Sequence, residues 1–336
     1  MAARRSRRRR SSGARGTREP RSLEDPTALF DADPPAPEPR RARPGGFVPP
    51  EGEPPPERLE QPRAEGRGTR RARFETLART LVAVPWIIFA ILIIIAGGVP
   101  FMIAMIGLAF LGMVEYFRMT SDARPFVPVA FAVVGGTIVA AHYGTGRDAA
   151  LVAGLSFPLM FAFALGRPSR EGITVSLSVT LLGIAWIGAP FAHAVLLRDL
   201  PLHGGALLVD VLVATFAADT AAYLGGRLFG RHPLAPSLSP NKTLEGLAAG
   251  FVGGTLGFWF AGLYQDWLSG TDAILMGACI AAVAPMGDLF ESMIKRDLGV
   301  KDTGRAFGPH GGLLDRLDAV LFTVVAGFYL SIVLVY

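Results

Sequence analysis

"TLVAVPWIIFAILIIIAGGVPFMIAMIGLAFLGMVEYF", residues 80–117, decides the fold class. It contains two apolar runs, 80–97 and 100–117, parted only by the turn "GGVP" at 97–100. Each is about the length a helix needs to cross a hydrocarbon core of ~30 Å. Two spans joined by so short a turn make a tight hairpin. The pattern repeats down the chain, with apolar runs at 126–143, 149–166, 173–197, 205–225, 245–264, 273–290 and 318–336. Turn-forming segments separate them, among them "GRPSREG" at 166–172 and "LPLHGG" at 200–205. The sequence therefore predicts an all-α integral membrane protein with about nine transmembrane helices. The run 173–197 is expected to tilt or break near Pro190.

Composition separates this region from what precedes it. Length alone, 336 residues, would suggest two soluble domains. However, residues 1–79 hold 19 of the 33 basic residues, 12 of the 28 acidic ones and 13 of the 26 prolines. They contain few large apolar side chains, too few to offset the entropy of ordering the chain. Two parts are expected: a disordered Arg/Pro-rich cytoplasmic tail, 1–79, and a polytopic membrane domain, 80–336. The opening "RRSRRRR" reads as a polybasic arm near anionic lipid, with no nucleic-acid partner expected. No short apolar stretch follows the arginines, so the segment does not read as a secretory signal. A single cysteine, Cys279, excludes an intrachain disulfide and a cysteine-based metal site.

Loop charge sets the expected orientation. With the tail inside, the inner loops carry Arg118, Arg124, Arg167, Arg170, Arg227, Arg231 and Lys242, then Lys295, Arg296, Lys301, Arg305 and Arg316. The outer loops carry only Arg147 and Arg198. This predicts a multi-pass plasma-membrane protein with its N-terminus in the cytoplasm and its charged loops on the cytoplasmic face.

Two inner loops concentrate the chemistry. One is "GGRLFGRHPLAPSLSPNKTLEG", 225–246; the other is "SMIKRDLGVKDTGRAFGPHGGLLDRLD", 292–318. The spans entering them carry Asp219 and Asp288 near their inner ends. A carboxylate within a span costs about 2.5–3.5 kcal/mol on insertion scales, so it usually faces the bundle interior and has a partner. A shared cation is one such partner; a nearby arginine such as Arg227 or Arg296 is the plainer alternative. Asp210, nearer the outer end of its span, reads as a packing or hydration residue. Asp288, Glu291 and Lys295 share one helix face at i, i+3 and i+7. Asp315 and Asp318 open the last helix, where acids suit the N-terminal dipole and could also complete an oxygen cage for Mg²⁺. His310 sits in "GPHGG" as a candidate phosphate contact or proton carrier, although a lone histidine is often structural. Lys301, Arg305 and Arg316 are cations suited to phosphate. In the other loop Ser239, Lys242 and Thr243 precede a helix start, where anion binding and ordinary N-capping by Thr243 are both open. No Walker loop, kinase glycine loop or Ser-His-Asp pattern is present.

The segment Ser292–Asp318 resembles the signature of phosphatidate cytidylyltransferases, also called CDP-diacylglycerol synthases. "DTAAYLGGRLFGRHPLAPSLSPNKTLEG", 219–246, is similar to a second segment of that family, with Asn241 where a lysine is common. The resemblance covers roughly residues 80–336. It implies transfer of a cytidylyl group from CTP to phosphatidic acid, giving CDP-diacylglycerol and pyrophosphate. It further implies Mg²⁺, with K⁺ as a candidate second cation, and a homodimer in contact with membrane lipid. On this resemblance Asp288 and Asp315 are the leading metal ligands, and Asp219 and Asp318 second-rank ligands or orienting groups. Lys295, Arg296 and Lys301 would hold phosphates; Ser239, Lys242, Thr243, Ser292, Arg305 and Arg316 would help bind substrate. Two rival readings are a CTP-dependent lipid kinase and a secondary transporter; charge gathered at one face instead of the midplane counts against transport.

Overall fold

The computed structural model describes residues 87–304 and 311–336. The expected tail, the first residues of the first run, Arg305 and His310 lie outside the described residues. Every predicted run is helical where it is described. The helices are α1 (Ile87–Ala96), α2 (Gly98–Met119), α3 (Val127–Tyr143), α4 (Gly146–Gly154), α5 (Ser156–Leu165), α6 (Ile173–Gly183), α7 (Ala189–Arg198), α8 (Gly204–Phe229), α9 (Leu244–Gly262), α10 (Gly270–Asp297) and α11 (Leu314–Leu334). Seven spans are long and apolar enough to cross a membrane: α2, α4 with α5, α6 with α7, α8, α9, α10 and α11. Among the described residues, α1 and α3 are shorter apolar helices.

The expected break at Pro190 takes the form of a single π turn, Ile184–Gly188, between α6 and α7. Pro190 has no N–H to give the carbonyl one turn back, and a wider turn just before it shifts the hydrogen-bond ladder past the gap. The 225–246 segment is more ordered than the loop expected from its sequence. α8 continues to Phe229, and β1 (Pro233–Ala235) pairs antiparallel with β2 (Ser239–Thr243). Glu245 closes the base of this hairpin: its carboxylate accepts the N–H groups of Arg231 at 3.0 Å and His232 at 3.3 Å.

Small residues allow the helices that carry the site to pack closely. α9 lies along α8, and a Cβ at Gly250 or Gly254 would stand 2.9 Å from a side-chain atom of Ala222 or Ala218, respectively. Such small-residue seams replace the hydrophobic drive that is missing between helices in lipid. At the α10–α11 crossing, a Cβ at Gly287 would overlap the Asp318 carbonyl and lie 3.0 Å from Ala319 Cα. Only glycine permits that approach, and it brings Asp288 beside the first turn of α11.

Polar contacts sort into two ends of the bundle. At one end, Arg167 donates to the Arg124 carbonyl and Ser176 to that of Ala123, and the loops 230–243 and 296–304 meet. At the other, Arg198 Nε donates to the Ile94 carbonyl at 2.6 Å, His142 pairs with Asp199, and Gln265 donates to both oxygens of Asp210. This is the sorting that loops alternating between two ends of a helix bundle require. It also gives Arg198, one of the two arginines expected on the outer side, a structural task at the end of α1. Asp210 is buried with a glutamine partner, consistent with its reading as a packing residue.

Candidate active site

The site is built where α8, β2, α10 and the start of α11 converge. Lys242, on β2, reaches across to α10 and ion-pairs with Asp288. Both side chains are only partly exposed, 25% and 33%. Asp318 lies within electrostatic range of Asp288, Asp219 and Lys242, and Asp219 likewise of Asp288 and Lys242. One lysine thus stands among three carboxylates drawn from three helices. Asp219 itself is exposed on α8.

Asp315 is held in a different way. Its Oδ1 accepts from Lys295 Nζ at 2.9 Å; its Oδ2 accepts the N–H of Gly312 at 2.7 Å and that of Thr303 at 3.0 Å. Lys295 also donates to Glu291 Oε2 at 3.0 Å. Glu291 is 1% exposed, and its Oε1 has no hydrogen-bond partner among the described residues. Lys295 therefore bridges two carboxylates, one on its own helix and one on α11. The i, i+3, i+7 face expected for Asp288, Glu291 and Lys295 exists, but Lys295 is occupied in positioning Asp315.

The remaining predicted residues surround this core. Arg296 Nε donates to the Leu238 carbonyl at 3.2 Å, joining the two charged loops. Lys301 and Arg316 are exposed, and Ser239 and Ser292 are half-buried. Thr243 is the N-cap of α9, its hydroxyl accepting the Gly246 N–H at 3.1 Å. Among the described residues, no group of three or more His, Cys, Asp or Glu side chains is close enough to hold a metal ion as it stands. The donor chemistry nevertheless fits a hard dication: Asp219, Asp288 and Asp318 offer only oxygen, and the Lys242 ammonium is the positive charge that sits among them.

Two residues of the site were missed by sequence reasoning. Thr303 is 4% exposed, its hydroxyl set between Asp315 and a second carboxylate. That second carboxylate is Glu115, far away in sequence, on α2. It is 4% exposed and accepts from the backbone of Leu313 and Leu314. The rule that singles out Asp219, an acid inside an apolar span, applies equally to Glu115 in the run 100–117.

This geometry belongs to the two segments by which the sequence resembles a known family, and comparison with known proteins agrees. The model of the cytidylyltransferase family matches residues 77–334. The chain belongs to this family. A phosphatidate cytidylyltransferase of Mycobacterium leprae is 36% identical over 165 residues, covering 49% of this chain and 53% of that protein. An Escherichia coli K12 relative, the uncharacterized protein YnbB, is 42% identical over 158 residues, again 53% of its length. Against these relatives the chain spans about half of their length. A Synechocystis phosphatidate cytidylyltransferase is 33% identical over 289 residues, 76% of this chain and 96% of that protein. The family match contains all the elements that build the site, from α2 to α11.

Proposed function

We propose that this cytidylyltransferase-family chain transfers the cytidylyl group of CTP to phosphatidic acid, giving CDP-diacylglycerol and pyrophosphate. One observation carries the reading. Lys242 with Asp288, and Lys295 with Asp315, set two paired acid–base centres side by side at one end of a membrane bundle, within segments matching this family. A soluble nucleotide and a lipid whose chains stay in the leaflet can meet only at such an interface. By loop charge this end, and the N-terminus, lie in the cytoplasm.

In the reaction, a phosphate oxygen of phosphatidate attacks the α-phosphorus of CTP. A new P–O bond forms, and the bond between the α-phosphorus and its bridging oxygen breaks, releasing pyrophosphate. Lys242, Arg296, Lys301 and Arg316 bind and orient the phosphates, and charge-assisted contacts of this kind lower the cost of bringing polyanions together. Lys295 acts one step back, holding Asp315 in place. Ser239, Thr243 and Ser292 line the approach, and Arg305 and His310 are proposed from the motif alone. Asp288, with Asp219 and Asp318, would hold Mg²⁺; Asp315 joins them if Lys295 gives up its Oδ1. Bound there, the ion would supply positive charge to the triphosphate and the departing pyrophosphate. K⁺ as a second cation and a homodimeric assembly are proposed from the same resemblance.

The test is purified protein in mixed micelles with labelled CTP, phosphatidate and Mg²⁺, with K⁺ present or absent, and a chelator control. CDP-diacylglycerol and pyrophosphate are expected; release of CDP would instead mean γ-phosphoryl transfer. Asp288→Asn should lower turnover by more than about 100-fold, since even outer partners of a metal ligand are worth 10–100-fold. Unchanged turnover in that variant would remove the basis of the proposal.

A further inference from the structure

Glu115 lies outside every segment that carries the family motif, yet it is buried against one of them. Its helix α2 is apolar apart from Glu115 and Arg118 in the last turn, and a buried carboxylate there has a cost that must be offset locally. The offset is visible. Glu115 Oε1 accepts the Leu313 N–H at 2.9 Å, and Oε2 accepts the Leu314 N–H at 3.1 Å. These are orphan donors of the first turn of α11, where a negative charge is favoured by the helix dipole. Thr303 Oγ1 lies 3.2 Å from Glu115 Oε2 and 3.1 Å from Asp315 Oδ2. A hydroxyl has one proton, so Thr303 donates to only one of the two acids at a time. Gly304 and Gly312 leave room for this carboxylate. A Cβ at Gly304 would come within 2.7 Å of Glu115 Oε1, and one at Gly312 within 2.5 Å of Oε2.

The chain is therefore held at Thr303 and again at Leu313 and Leu314. Both are held by one side chain, that of Glu115 on α2. We infer that Glu115 is a positioning residue for the reaction, fixing Thr303 and the backbone of Leu313 and Leu314 so that Asp315 meets Lys295 and Asp318 stays near Asp288. This inference rests on the proposed cytidylyl transfer for its kinetic consequence, although its structural consequence stands apart from it.

Hydrogen–deuterium exchange and kinetics on the full chain in micelles test the clamp together. In Glu115→Gln, one oxygen becomes an NH₂ group facing backbone donors. At least one of the Leu313 and Leu314 amides, the one left facing the NH₂ group, should lose protection, whereas those of α11 beyond residue 319 keep it. Turnover should fall on the order of 10²-fold, the cost of misplacing reacting groups by about 1 Å, with KM for CTP changed less than threefold. Glu115→Asp, which restores the charge at a shorter reach, should recover part of the turnover. If Glu115→Gln does not fold, Thr303→Val, which removes the shared hydroxyl at constant volume, should lower turnover in the same pattern. Retained protection at 313–314 in Glu115→Gln overturns the inference, as does a loss of turnover that merely follows the loss of folded protein. Lost protection at 313–314 in a protein whose wild type makes no CDP-diacylglycerol would uphold the clamp and refute the proposed reaction.

Discussion

Replacing Lys295 by methionine separates two roles that its sequence position allows. Methionine keeps the length of the stem and removes the charge. Lys295 Nζ lies 3.0 Å from Glu291 and 2.9 Å from Asp315, and its side chain is 15% exposed. Its partners are 1% and 13% exposed. Removing one member of a buried pair costs about 3–5 kcal/mol, because the other charge is left without compensation. Here two carboxylates lose their shared cation, which puts the expected loss near the upper end, about 5 kcal/mol. Neutralising Glu291 as well, in Lys295→Met/Glu291→Gln, removes one of the stranded charges. The two changes should then be non-additive by about 1–3 kcal/mol. Unfolding in graded SDS–detergent mixtures, followed by tryptophan fluorescence, gives all four corners of the cycle. Trp186 packs edge-on against Phe290, one residue from Glu291, with ring centroids 5.3 Å apart, and makes a local reporter. A lysine that served only to bind phosphate would leave stability untouched and raise KM for CTP. The reasoning is refuted if Lys295→Met unfolds within about 1 kcal/mol of the wild type, or if the cycle is additive within about 0.5 kcal/mol.

Two further outcomes follow from backbone packing and capping. Gly287→Ala places a methyl on the Asp318 carbonyl and pushes α10 from α11; overpacking of this kind costs about 1–3 kcal/mol. Turnover should drop more steeply than the melting temperature, because Asp288 and Asp318 separate, and a variant with full turnover would refute the close approach. Thr243→Ala removes the α9 cap and should cost about 1 kcal/mol in the same unfolding assay, with Thr243→Ser restoring it.

Much of this protein could be read along the chain. The run of apolar helices depends on local hydropathy, which needs no partner from elsewhere in the sequence. The two charged segments were equally plain, because acids and glycines stand out against apolar surroundings. The cap at Thr243 follows from nearest neighbours alone. What each ionised group is paired with was decided only by the tertiary structure. Lys242 finds Asp288 across 46 residues. Lys295 finds Asp315 across 20 residues, on α11. Glu115 gains its purpose 198 residues downstream, at Leu313. A charge in a poorly solvating interior must take whichever opposite charge or donor the packing delivers, and helix packing, unlike hydropathy, is not a local property of the sequence.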